Sequence, residues 1–364
     1  MRFADIDLAL NPRARVAVHD GLEASEFLVE APIKGAAFSS VVVQANNFPS
    51  AHAFLQSTLI EGRQDVQLST QGAAELLRIG LFAPCDAIPQ TVRYDIANVG
   101  AVGSAAARLR SEVEALSAEP VHSQGLRLPE EWQEPTLRFV SHHRGSIWAP
   151  VRTESNAAAI ENNSEDDELA ETWTPGMELD AADTRAQFER EGFAILEHLL
   201  PAAHVLALGR YFRALADEGF LARDDEGGTR RFIAHNHPIA NFWHDQLNER
   251  VAQLVGQRTK PSYSFVSVYS EGGDLFWHTD RPPCEYTLTL LMDYAPLTED
   301  GRSSWPLKVR GRDGALNAIQ QRVGEALIFK GRELKHSRDV LPAGHRSSSL
   351  LFHFVNEDYD GVMG

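Results

Sequence analysis

The sequence predicts an α+β fold: a double-stranded β-helix, or jelly roll, with flanking helices, preceded by a small α+β domain. Three observations predict it. Eight segments between 262 and 355 are short, β-branched or aromatic in places, and parted by Gly, Pro or charged turns, the strand count of a double-sheet jelly roll. Helical patterns at 185–193, 202–216 and 239–254 precede them. An acidic stretch, Asn162 to Glu168, followed by Thr174-Pro175-Gly176, has no apolar period and reads as a linker or long surface loop over 151–182.

Residues 1–150 form the first predicted domain. Phe27 to Glu30 and Val41 to Val43 read as strands, and Ala51 to Leu59 and Gly72 to Ile79 as short amphipathic helices. The second helix stops at Gly80, with Pro84 beyond it, and a related phrase recurs at Gly125 to Pro129. Ser104 to Leu116 reads as a further helix. This half carries no catalytic signature. Recognition of substrate and dimerisation are the roles open to it. In the second domain, 183–364, the eight strands are expected at 262–270, 274–279, 285–294, 305–310, 316–321, 325–329, 334–340 and 345–355.

Composition narrows the function. Hydrophobic residues make up 43% and charged residues 23% of the chain, a globular balance, and the net charge of -17 argues against nucleic acid and anionic membrane as partners. The two cysteines, Cys85 and Cys284, suit a reducing cytoplasm better than a disulfide framework. No run approaches the roughly 18 apolar residues of a membrane helix, and the acids in Met1 to Asp7 do not suit a signal peptide.

His278, Asp280 and His336 carry the chemistry. Residues two apart on a strand share a face, so His278 and Asp280 point one way. A jelly roll can bring the strand of His336 beside them. Two imidazoles and one carboxylate can hold a divalent iron and leave coordination positions open. Arg346 and Ser348 share a strand face with Leu350 and Phe352. The guanidinium there can grip a carboxylate by two parallel hydrogen bonds, which points to an acidic chelator.

His278-Thr279-Asp280, His336 and Arg346-Ser347-Ser348 resemble the His-x-Asp…His…Arg-x-Ser pattern of the Fe(II)- and 2-oxoglutarate-dependent oxygenases. The resemblance covers roughly 183–356 and includes Phe188 to Phe193, Tyr269 to Gly273 and Gly324 to Phe329. It implies that His278, Asp280 and His336 bind Fe(II). It implies that Arg346 and Ser348 hold the far carboxylate of 2-oxoglutarate, with Tyr263 or Tyr269 donating a further hydrogen bond. It also implies a dioxygenase that uses O2, yields succinate and carbon dioxide, and hydroxylates a C–H bond by default. The carboxylate of Asp280 argues against halogenation.

Outside that set, His235-Asn236-His237 is expected in a loop bordering the entrance, where it can touch substrate. His353 is expected outside the iron cavity. Arg281 is expected at the mouth, meeting either an acidic substrate group or Glu285. Trp277 reads as packing and His142-His143 as a solvated turn. Three functions compete: hydroxylation of a small molecule such as an amino acid or natural-product intermediate; hydroxylation of a peptide or protein side chain presented by residues 1–150; and a metal-binding sensor or scaffold without turnover.

Overall fold

In the computed structural model, residues 8–20, 25–32, 38–61, 70–89, 139–140, 152–153, 181–200 and 202–362 are described. The predicted helix at Ser104 to Leu116, the Gly125 to Pro129 phrase, His142-His143 and the acidic stretch Asn162 to Glu168 lie outside these residues. The N-terminal part begins with β1 (Leu8–Leu10), β2 (Arg15–Asp20), β3 (Ser25–Pro32) and β4 (Phe38–Val43). β2, β3 and β4 form an antiparallel sheet in that order. Helix α1 (Pro49–Leu55) starts on a proline, whose missing N–H costs nothing at a helix start, and widens into a π-helical turn over Gln56–Ile60. Helix α2 (Thr70–Arg78) ends at Gly80, whose φ of +76° suits a residue without Cβ, and β5 (Phe82–Pro84) returns to pair with β1.

Two short strands, β6 (Phe139–Val140) and β7 (Arg152–Thr153), pair with each other. Helix α3 (Ala181–Glu191) passes through Gly192, φ +82°, into β8 (Phe193–Leu196). Then follow α4 (Ala202–Asp217), β9 (Ala222–Asp224), β10 (Arg231–His235) and α5 (Pro238–Val255). The remaining strands are β11 (Thr259–Tyr269), β12 (Leu275–His278), β13 (Tyr286–Ala295), β14 (Leu307–Arg310), β15 (Leu316–Ile319), β16 (Ala326–Phe329), β17 (His336–Arg338) and β18 (Arg346–Asn356). All eight predicted strands form. They divide between a seven-stranded sheet, order β8-β16-β13-β18-β11-β10-β9, and a four-stranded sheet, order β12-β17-β14-β15. Every pairing is antiparallel.

The large sheet is buried on both faces, and period two sorts its side chains. Val266, Leu288, Leu290, Ile328, Leu350, Phe352 and Phe354 belong to one core with Phe212 of α4 and Trp243 of α5. Leu327 and Phe329 instead join Phe193, Leu307, Val309, Ile319 and Leu334 in a second cluster with the small sheet. β13 is accordingly buried along nearly its whole length, its Thr287, Thr289 and Asp293 included. The first core extends into the N-terminal residues: Phe27, Phe54 and Phe82 belong to it. Val16 N donates to Asn236 O at 2.9 Å, the Asn241 amide donates to Val16 O, and Gln246 Nε2 donates to Leu59 O at 3.3 Å. The described part of 1–150 thus packs directly on α5. Among the described residues no helix is long and apolar enough to cross a membrane.

Candidate metal centre

β12 and β17 set His278 directly opposite His336, and Asp280 follows two residues beyond His278. Asp280 N donates to Gly331 O at 2.8 Å, pinning the backbone below its carboxylate. A Cβ at residue 331 would collide with the Asp280 carboxylate and the Thr287 hydroxyl, so the position requires glycine. The donor atoms of His278, Asp280 and His336 all lie within 4.8 Å of one another. Asp280 Oδ1 is 3.6 Å from His278 Nε2 and 3.5 Å from His336 Nε2.

Ring orientation is fixed from behind. His278 Nδ1 sits 2.7 Å from Phe276 O, and His336 Nδ1 sits 3.1 Å from Leu334 O. A carbonyl oxygen only accepts, so each Nδ1 carries a proton; in the neutral ring Nε2 is the lone-pair atom beside Asp280 Oδ1, and in the protonated ring Nε2–H points to that carboxylate. This is the backbone support that metal-bound imidazoles ordinarily have. Donors about 2.1 Å from a common ion stand ~3.0–3.4 Å apart in octahedral or tetrahedral geometry, close to the spacing here. The residues fit a divalent ion with two nitrogen ligands and one oxygen ligand, a set that leaves positions for other molecules.

The charges agree. Burial opposes ionisation of Asp280, but hydrogen bonds from His278 and Thr287 and the nearby His336 outweigh it and hold its pKa down to about 2. His278 is raised, first by its hydrogen bond to Asp280, whereas His336 is lowered by burial. His336 keeps only 5% of its side chain exposed and His278 38%, so the centre opens to solvent on the His278 side, where Phe276 and Trp277 are also exposed. The Trp277 ring has Arg310 stacked over it at 5.8 Å.

Behind the carboxylate runs a polar chain. Thr287 Oγ1 donates to Asp280 Oδ2 at 2.5 Å and lies 3.1 Å from His353 Nδ1. With the threonine proton committed to Asp280, His353 Nδ1–H donates to Thr287. His353 therefore faces the metal side of the large sheet, correcting its predicted place outside the cavity. Burial lowers its pKa to about 4, so it stays neutral. Asp280, Cys284 and His353 form a second close-set trio. Thr287→Val, which keeps the shape and deletes the hydroxyl, should cost about 10–100-fold in metal affinity with the fold intact, measured by anaerobic metal titration and circular dichroism. An unchanged affinity would show that the chain does not orient Asp280.

The other predicted site residues divide. Tyr263 and Tyr269 lie on the metal-facing side of β11 with Phe265 and Ser267, since Tyr263 pairs across with His353. Arg281 Nη2 donates to Tyr263 Oη at 2.8 Å, and Tyr263 Oη lies 3.0 Å from Cys284 Sγ. Glu285 pairs with Arg332 at 2.8 Å, and among the described residues it forms no ion pair with Arg281. His235 is not in a loop: it ends β10, opposite Phe265, stacked on Tyr263 at 5.5 Å. Burial, with Arg281, Arg15 and Arg231 nearby, lowers its pKa to about 4.

His237 lies elsewhere. It caps α5 by accepting from Ile239 N at 3.3 Å, and its Nε2 meets Tyr211 Oη at 3.2 Å. Both ring nitrogens are spent inside the helix-side core, which corrects the substrate contact read from the sequence.

Arg346 and Ser348 also lie on the helix side. A bulge at Met292 shifts the β13–β18 register between Leu291 and Asp293. Asp293 consequently turns toward α4, where it takes Arg213 at 2.9 Å and Arg346 Nε at 3.4 Å. Two residues the sequence reading missed sit on the metal-facing side. Arg231 pairs with Asp224 at 2.8 Å and donates to Tyr269 Oη at 3.1 Å. Arg338, two residues beyond His336 on β17, is buried at 8% exposure, and burial lowers its pKa to about 10. Period two from His336 was the signal that could have found it.

No known family profile matches the sequence, and no curated protein matches it. Solved structures do. A prolyl-4-hydroxylase from Pseudomonas putida aligns over 49% of this chain and 99% of its own, at 21% identity and TM-score 0.40. The non-heme alpha-ketoglutarate-dependent carbocyclase SnoK of nogalamycin biosynthesis aligns over 50% and 86%, at 11% identity and TM-score 0.42. HygX from Streptomyces hygroscopicus, solved with nickel and 2-oxoglutarate bound, aligns over 49% and 87%, at 13% identity and TM-score 0.38.

Proposed function

We propose that this chain is an Fe(II)- and 2-oxoglutarate-dependent oxygenase that hydroxylates a C–H bond of a small molecule, an amino acid or natural-product intermediate. The carrying observation is the trio of His278, Asp280 and His336, with both Nε2 atoms turned toward Asp280 Oδ1 by backbone carbonyls behind them. Iron held there supplies the oxygen-activating chemistry when the 2-keto acid and O2 are present. The chain's own part is to hold the ion at three positions, keep the carboxylate oriented through Thr287 and exclude water behind His336. Its solvent-open side, beside His278, Phe276 and Trp277, is where a substrate C–H bond approaches. The carboxylate of Asp280 fills the position a halide would need, which supports hydroxylation.

Titration with Fe(II) under anaerobic conditions should reach one equivalent. Admission of 2-oxoglutarate and oxygen should then release succinate even without substrate, and His278→Ala should release none. Metal uptake without succinate under any substrate screen would leave a sensor or scaffold in place of an enzyme.

A further inference from the structure

We propose that Arg338, rather than Arg346, anchors the distal carboxylate of 2-oxoglutarate. The inference rests on the function proposed above. A guanidinium has five N–H donors, and a fully desolvated one normally meets a carboxylate. For Arg338 the described residues supply two neutral acceptors: Trp305 O, 2.7 Å from Nη1, and Gln321 Oε1, 3.4 Å from Nη2. The Trp305 ring lies under the guanidinium at 4.6 Å, and the phenol groups of Tyr269 and Tyr294 stand near it. No Asp or Glu among the described residues forms an ion pair with it. A buried cation of this kind is expensive unless a ligand brings the anion.

Position agrees with that ligand. His336 and Arg338 share the metal-facing side of β17, and two residues of strand advance about 6.7 Å. The five-carbon chain of 2-oxoglutarate, extended, spans about 5 Å between its terminal carbons, so one end can reach the ion while the other meets the guanidinium. Tyr269, whose ring lies 5.0 Å from Trp305, borders the same space from β11. Arg346 stands on the opposite face of the large sheet, beside Asp293, Arg213 and Asp217.

Calorimetric titration of 2-oxoglutarate into the Ni(II)-loaded protein tests the assignment without turnover. Arg338→Gln should weaken binding on the order of 100-fold, the scale of losing a charged bidentate partner. Arg346→Gln should stay within about threefold of wild type. 2-Oxobutanoate, which has the chelating end and no second carboxylate, should bind wild type and Arg338→Gln alike; a merely structural role would weaken both ligands together. Arg338→Lys keeps the charge in the core and should still lose about tenfold for 2-oxoglutarate alone. Fluorescence of the unsubstituted protein adds a readout independent of these variants. 2-Oxoglutarate should perturb the signal that Trp305→Phe removes, and 2-oxobutanoate should not.

Loss confined to Arg346→Gln, or no perturbation of Trp305, overturns the assignment and leaves the oxygenase reading standing. Failure of the metal-loaded wild type to bind 2-oxoglutarate at all defeats that reading itself.

Discussion

Asp280→Asn should lose metal affinity on the order of 1,000-fold and all succinate release, while its far-ultraviolet circular dichroism matches wild type. The substitution keeps the shape of the side chain and the hydrogen bond with Thr287, and removes the charge. In the parent protein Oδ1 is the point on which both Nε2 atoms converge, and its partners hold the carboxyl ionised down to about 2. An amide there is a weak ligand, and two imidazoles alone seldom retain a divalent ion against water. The same change carries a second signature in the metal-free protein. His278 is raised first by its hydrogen bond to Asp280, so without that carboxylate its pKa should fall. A resonance titration of the imidazole would show this. Full metal uptake by the amide variant would mean that these three side chains are not the ligand set.

His278, Asp280 and His336 were legible because ligand chemistry confines them to few residue types, and a His-x-Asp pair on a strand declares a shared face. The eight strands were legible for a related reason. Each is short, β-branched or aromatic in places, and closed by glycine, proline or charge. β9 and β10 escaped: Phe232 to Ala234 is a run of only three apolar residues, flanked by Arg231 and His235, and β9 is Ala222 followed by the charged Arg223 and Asp224.

The faces of β18 were read correctly as sets and assigned to the wrong sides. Arg346, Ser348, Leu350 and Phe352 do share a face, but large apolar residues on it mark the side covered by α4 and α5. The polar set, Ser347, Ser349 and His353, looks toward the metal. The partner that makes Arg346 tolerable there, Asp293, reaches it only because of the bulge at Met292. A one-residue register shift of that kind leaves no mark in residue type.

Acid should unfold the protein between about pH 5.5 and 4, well above the range set by its carboxylates, and histidines remote from the metal should be responsible. His204, His237 and His244 are buried, and burial lowers them to about 4, 3 and 3. His237 has no free nitrogen, because its acceptor atom caps α5. His244 Nε2–H donates to His353 O at 2.8 Å, with its ring against Phe354 at 4.7 Å.

A folded pKa below the unfolded value of about 6.5 means the native state refuses a proton that the unfolded chain accepts. Their stabilising contribution is therefore whole above that value and is lost as pH falls toward the folded pKa. Below pH 5.5 each such residue costs about 1.4 kcal/mol per pH unit, and three cost about 4. Over two units that removes about 8 kcal/mol, within the ~5–15 kcal/mol range of net stability. The urea midpoint, followed from pH 7.5 to 4.5, should fall steeply below pH 6, and His244→Gln, which preserves an amide donor toward His353 O, should remove one histidine's share of that slope, about 1.4 kcal/mol per pH unit. A midpoint that stays level down to pH 5 would show that these imidazoles titrate alike in the folded and unfolded chains.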